Sequence, residues 1–431
     1  MATTYLSRTS GTPTDSKKTT LSVWLKRSGL GTGTFFGGGA DSNNMTFINF
    51  NPNGKIFLQS SSSGSNTLVF VTTQVFRDTS AWYHIVVAID TTQGTASNRV
   101  KLYVNGVQVT AFDTETQPSQ NLELEWNKSG KTLEIGKYLF QSTYSLYDGS
   151  MSYVSFVDGT QELPTVFGET DSTTGEWKIK TDITPSVAWG NNGFLILKNG
   201  NSLTDESSNS NNFTLGGGTL TETKDCPDNV FCVLNDLDTT RVLSNGNTTY
   251  AGDASGTVVK GTLGMLSGKY YAECKILSAA QNMIGVLSIA QAPTTVFVGA
   301  SAVGWGLFGD GTLYNNSSAT SNFSNSFSDN DIMGIALDMD NNKLYFSKNG
   351  VWQNSGDPTS GATGTGAVSI TSGLTMTFSG GRDSASDTAD FNFGNGTFGT
   401  TAIASAGTNA SNNGVFEYDV PTGYTALSTK G

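Results

Sequence analysis

The feature that most constrains this chain is a rhythm of short alternating runs broken by turn residues about every ten positions. The clearest instance is 100–109, VKLYVNGVQV. Val100, Leu102 and Val104 alternate with Lys101 and Tyr103, then Asn105-Gly106 starts a second alternating run. Asn-Gly suits a type I′ hairpin because both residues accept positive φ, and alternation with a period of two puts one face of a strand into a core. Residues 82–90 (WYHIVVAID) are nearly all apolar, as in a strand buried on both faces. Segments 21–26, 45–50, 55–59, 133–136 and 152–158 read as further strands. Strands at this spacing predict an antiparallel β-sandwich.

Composition agrees. Only 14% of the 431 residues are charged, against roughly a quarter in an ordinary domain. The 51 Gly feed turns, while 24 Phe, 14 Tyr and 7 Trp supply apolar bulk. No stretch sustains a helical period beyond a turn or two. The chain is too long for one ordinary core, so several domains are expected. A net charge of −12 disfavours nucleic acid and anionic membranes, and no Lys/Arg run makes a phosphate-binding stripe. The expectation is no nucleic-acid partner and no membrane insertion, since no apolar run approaches the ~20 residues that span a bilayer. Residues 1–10 (MATTYLSRTS) lack the apolar core of a signal peptide.

After a segment at 201–254 that is rich in Asn, Ser, Gly and Asp and reads as a connector, strand patterning returns. The best hairpin spans 331–351. Met333, Ile335, Leu337 and Met339 face one way, Asn341-Asn342 turns, Leu344 and Phe346 return, and Asn349-Gly350 turns again. The expected organisation is all-β: two antiparallel β-sandwich (jelly-roll) domains in tandem, at 1–200 and 255–431. The shared phrases KLYVNG at 101–106 and KLYFSKNG at 343–350 are read as common hairpin chemistry rather than as a duplication.

Several of these strings resemble known families. SVWLKRS, WYHIVVAID, KLYVNGV and LEIGKY followed by YDGSMSYVSFVDG stand in the order seen in laminin-G-like, concanavalin-A-like domains, over about residues 3–160. The stretch 158–175 (DGTQELPTVFGETDSTTG), then Trp177-Lys178 and Gly193-Phe194, resembles a tail recurring in phage tail-fibre and appendage proteins. So does 225–237 (DCPDNVFCVLNDL) with LSNGN at 243–247. SGKYYAECKI, VGWGLFGDGTLYNN, the 331–351 hairpin and FNFGNGTF with VPTGYTAL resemble a SPRY domain over about 255–428. The insertion at 359–367 and the stretch 384–389 depart from that pattern.

Chemistry is sparse. The single histidine, His84, lies within the 82–90 run and reads as structural rather than as the base of a Ser-His-Asp triad. Glu123 and Glu125 share a strand face at i, i+2, as glycosidase carboxylates do. Without a third acid they read as solvated side chains. Asp338 and Asp340 echo the start of a calcium loop but lack its later Gly and Glu, so a turn is the plainer account. Cys226, Cys232 and Cys274 form no pattern of pairs, and Cys274 reads as a buried thiol. Neither Gly37-Gly38-Gly39 nor Gly216–Gly218 is a phosphate loop. The expectation is therefore no catalytic residue, no metal site and no cofactor, although loop carbonyls and single Asp residues bind calcium without any motif.

Recognition is what remains. Taken singly, Tyr138, Phe140, Tyr144 and Tyr147 each read as packing into the sandwich; as a group, together with Tyr314 and Trp352 in the second domain, they are the expected ligand-binding set. The resemblance implies a non-enzymatic phage virion protein. It would be a tail or head fibre or a decoration component at the virion surface, assembled in the host cytoplasm, that binds host-surface glycans or neighbouring virion proteins. A purely structural adaptor is the rival, and a polysaccharide depolymerase the third reading. No heptad stretch fixes an oligomeric state, and a homotrimer stays open.

Overall fold

The computed structural model describes residues 3–137, 146–252, 257–279, 281–292, 297–382 and 386–431. The chain is all-β and forms two units, Met1–Glu222 and Thr223–Gly431, each built on two main sheets whose strands pair antiparallel, apart from Thr425–Ala426, which pairs parallel with Lys269–Ser278 in the second unit.

In the first unit an eight-stranded sheet faces a six-stranded one. The long strands Lys18–Arg27 and Trp82–Asp90 pair antiparallel along their whole length, from Lys18 opposite Asp90 to Lys26 opposite Trp82. Ile85, Val87 and Ile89 point into the main core with Leu21, Val23 and Leu25, while Val86 and Ala88 point out of the sandwich. That outward face is covered by the chain between 160 and 192, which lays Phe167, Ile183, Val187 and Trp189 over it as a second apolar cluster. The continuous apolar run in 82–90 thus has its physical reason: both faces of the strand are buried.

The second unit repeats the plan. Lys269–Ser278 pairs with Ile332–Asp338, and that strand pairs with Lys343–Lys348. Cys274, Met333, Ile335, Leu337, Met339, Leu344 and Phe346 enter the main core, as their alternation predicts. Tyr271, Ala336 and Tyr345 point away from it and are covered by Phe416, Val420 and Tyr424 from the C-terminal segment.

Both Asn-Gly hairpins form with the expected positive φ, 47° and 79° at Asn105-Gly106, 49° and 80° at Asn349-Gly350. Each Asn is tied to the adjacent strand in the same way. Asn105 N–H donates to His84 O at 2.9 Å, and its Oδ1 accepts from His84 N–H at 2.8 Å. Asn349 exchanges the same pair of bonds with Ile332, both at 2.8 Å. An aromatic ring then sits on each glycine: a Cβ on Gly106 would lie 2.5 Å from Trp177, and one on Gly350 2.7 Å from Tyr418. The shared phrase in the sequence is shared turn chemistry down to these atoms.

The expected connector at 201–254 requires correction. Phe213 belongs to the first core, and Thr214–Gly217 pairs with Tyr5–Thr9 as an edge strand. Phe231, Cys232, Leu234 and Tyr250 belong to the clusters of the second unit. The polar composition that suggests a linker instead serves local backbone satisfaction. Asp205 accepts from the N–H groups of Leu195, Ser207 and Asn211, at 2.7–2.8 Å, and from the Ser207 hydroxyl.

Candidate functional site

Of the aromatic residues singled out in the sequence, the structure describes Tyr147, Tyr314 and Trp352. Tyr138, Phe140 and Tyr144 lie outside the described residues. Tyr147 is a core residue, 6% exposed. Its ring meets Phe35 edge-on at 6.4 Å and its hydroxyl donates to Lys26 O at 2.9 Å. Burial raises its phenol far above the usual range. It is therefore not a contact residue: a Tyr whose hydroxyl finds a backbone acceptor can be buried without loss. Tyr314 is half-buried, edge-on to Phe297 and Phe308. Trp352 is half-buried against Tyr271 and Tyr345.

His84 is fully buried and wedged between aromatic partners. Trp24 stacks on its face, with centroids 4.6 Å apart. Trp177 Nε1–H donates to its Nδ1 at 2.9 Å, and Ser22 Oγ lies 2.8 Å from its Nε2. Because indole can only donate, Nδ1 must be the bare nitrogen, so Nε2 carries the proton and donates to Ser22. That tautomer cannot take a proton from the Ser22 hydroxyl. Burial holds the imidazole at about 3, so it stays neutral and structural.

The two glutamates also separate. Residues 122–125 are not a strand; Glu125–Asn127 is a 3-10 turn. Glu123 is exposed and accepts from Ser16 Oγ, whereas Glu125 is 3% exposed and pairs with Lys128. The expectation of solvated carboxylates fails for Glu125, because Trp126 drives into the core between Phe36 and Phe156 and drags its neighbour inward. Asp338 is buried, accepts from Asn341 and pairs with Lys269 at 3.0 Å, as a turn requires.

What the structure does assemble is a polar cleft in the first unit, about 470 Å³ in volume, within the ~300–1,000 Å³ range of ligand sites. Ser7, Arg8 and Thr9 come from Tyr5–Thr9 and Thr132 from the strand beside it. Ser210, Asn211, Asn212 and Thr214 come from the loop and edge strand on the other side. The loop is shaped from beneath by Asp205, whose Oδ2 accepts from Asn211 N–H and whose own N–H donates to Asn212 Oδ1, each within 2.8 Å. Arg8 donates to Asn211 Oδ1 and, at 3.5 Å, to Asn192 O. Burial lowers its pKa, and the field of Asp205 partly opposes that. The cleft offers hydroxyls and carboxamides, a set that exchanges hydrogen bonds in both directions. Sequence reading missed it because its two walls lie some 200 residues apart; the only local trace was the run of Ser and Asn at 207–212.

Comparison with known proteins follows these units. Residues 2–159 match the family described as the concanavalin A-like lectin/glucanases superfamily, and residues 269–394 match the SPRY domain. No curated protein matches the chain. Among solved structures, the SPRY domain of human HERC1 is 16% identical, with a TM-score of 0.30, covering 37% of this chain and 96% of its own. The TRIM65 PSpry domain is 13% identical at a TM-score of 0.31, over 37% of this chain and 88% of its own. A heptameric SAP-like pentraxin from Limulus polyphemus is 18% identical at 0.29, over 37% and 71%. Scores of this size carry no inference about activity. The matched segments nonetheless establish the architecture: a concanavalin-A-like, laminin-G-type domain followed by a SPRY domain.

Proposed function

We propose that this chain is a non-enzymatic recognition protein of a bacteriophage particle, and that its first unit binds a surface saccharide in the cleft between Tyr5–Thr9 and the 207–214 segment. The observation that carries the binding reading is the cleft's lining: side chains that both donate and accept, on a loop pre-shaped by Asp205. Sugar hydroxyls ask for that combination. The virion part rests on sequence, on the resemblance of 158–194 and 225–247 to segments of phage appendage proteins. The structural adaptor and the depolymerase are the competing readings.

The test is retention of the intact chain on an immobilised panel of bacterial-surface glycans, compared with Thr214→Trp. Thr214 is exposed and lies on a strand, where an aromatic is well tolerated. Binding to at least one glycan, weakened tenfold or more by the substitution at unchanged melting temperature, is expected. Retention unaffected by Thr214→Trp would move the site elsewhere. Release of reducing sugar ends would favour the depolymerase, and no retention at all the adaptor.

A further inference from the structure

The sequence holds eight Asn-Gly pairs, all among the described residues, beginning at Asn53, Asn105, Asn192, Asn199, Asn245, Asn349, Asn395 and Asn413. Such a pair carries chemistry of its own. The glycine nitrogen can attack the carboxamide carbon of the asparagine, because no Cβ on the glycine hinders the approach. The reaction needs a carboxamide free to swing onto that nitrogen and an N–H free to be given up. Tertiary structure therefore sorts pairs that are equal in sequence.

Seven of the eight are held. The Asn105 and Asn349 carboxamides each accept a backbone N–H at 2.8 Å. Asn192 accepts from Gly11 N–H and donates to Gly11 O. Asn395 accepts from Phe393 N–H and donates to Thr397, while Asn413 accepts from Asn229 and donates to Thr425. These last three side chains are also buried. Asn245 donates to Thr249 Oγ1 at 2.9 Å. At Asn53 it is the nucleophile that is held: Gly54 is buried and its N–H donates to Asn51 O at 2.9 Å. Asn199-Gly200 differs on both counts. Both residues are exposed. Among the described residues the Asn199 carboxamide makes no hydrogen bond and the Gly200 N–H donates to no acceptor. The turn is closed through the backbone, from Ser202 N–H to Asn199 O at 3.2 Å, which leaves the side chain loose.

We propose that Asn199-Gly200 is a self-modification site, where the chain converts its own asparagine to aspartate and isoaspartate. The Gly200 nitrogen gives its proton to water or hydroxide and bonds to Asn199 Cγ. The Cγ–Nδ2 bond breaks, and Nδ2 leaves as ammonia. Water then opens the resulting five-membered imide at either carbonyl. Opening at one gives aspartate; opening at the other runs the backbone through the former side chain as isoaspartate. Water is the sole co-reactant, and nothing is oxidised or reduced. Each event adds one negative charge to the net −12 of the chain.

The intact chain, kept at mildly alkaline pH and sampled over time beside a second sample in denaturant, tests this. Peptide mass spectrometry reads the conversion of amide to acid at each pair. In the native chain Asn199 should convert about tenfold or more faster than any other pair, because every other pair must first break a hydrogen bond or leave the core. In denaturant that lead should vanish. Ion exchange of the intact native chain should resolve a more acidic species, which Asn199→Gln removes because the longer side chain must close a six-membered ring. An acidic species that grows at the same rate in Asn199→Gln overturns the proposal. So does another pair that reacts first in the native chain, a lead of Asn199 that persists in denaturant, or a native chain inert at Asn199 while the unfolded one reacts.

Discussion

The indole N–H of Trp177 donates to Nδ1 of His84 at 2.9 Å, joining the excursion that covers the back of the first sheet to the middle of its central strand. One bond fixes the histidine's tautomer and seats the indole over Gly106. Trp177→Phe keeps an aromatic ring but removes the donor and leaves the buried Nδ1 of His84 unsatisfied, a loss of about 1–3 kcal/mol before any packing lost with the smaller ring. Chemical denaturation of the two proteins at pH 7.5 measures it. Gly106→Ala should cost more than Gly246→Ala. Both glycines have positive φ, but the new methyl meets Trp177 at the first and open space at the second.

Stability of the first unit should fall in acid. His84 is held at about 3 in the folded chain by burial, against about 6.5 when exposed. Its contribution is complete above pH 6.5 and is lost as pH falls through that value towards 3, at a slope approaching about 1.4 kcal/mol per unit. Denaturation midpoints from pH 7.5 to 4.5 should decline more steeply for the wild type than for His84→Gln, which cannot be protonated. Parallel curves would show that His84 already carries a proton when folded.

Glu273 works in the opposite sense. Its carboxyl is fully buried and accepts backbone N–H groups from Glu417 and Tyr418 at 2.8 Å each, with Asn392 Nδ2 and Tyr271 Oη at 3.2 Å. Desolvation raises it to about 7 despite these donors. A raised folded value means that its contribution is complete below pH 4.5 and lost as pH rises through 7. The difference in melting temperature between wild type and Glu273→Gln should therefore change between pH 5 and pH 8, with the wild type losing ground at the higher pH. A constant difference would contradict it.

Arg241 and Asp387 form an ion pair in which both side chains are fully buried, at 2.9 Å. Arg241 also donates to the carbonyls of Thr257, Ala251 and Arg382. Arg241→Met strands a carboxylate that burial already raises, and should cost about 3–5 kcal/mol. The double variant Arg241→Met with Asp387→Leu should recover part of that, as a double-mutant cycle measures directly.

Cleavage by a Glu-specific protease should open the chain first at Glu222, where the two units meet in sequence and the residue is exposed. The expected products are stable fragments corresponding to 1–222 and 223–431, read by mass. Earlier cleavage within either sandwich would show that the boundary is more protected than the sheets.

The sequence by itself determined the all-β class, both Asn-Gly hairpins, the 331–351 strand pair and its inward face, and the buried state of Cys274. Each of these is written in neighbouring residues, through a two-residue period or a turn that needs positive φ. Tertiary structure alone decided what covers the backs of the sheets. Nothing local says that Phe167 and Trp189 will lie over Val86, or that Phe416 will lie over Tyr271. It also buried Tyr147 and Glu125, drew 201–222 into the first sandwich, and brought Arg8 to Asn211 across 203 positions of chain. Alternation reports that a face is apolar or polar. Which distant segment meets it depends on strand order and register, and these are fixed only when the whole sandwich closes.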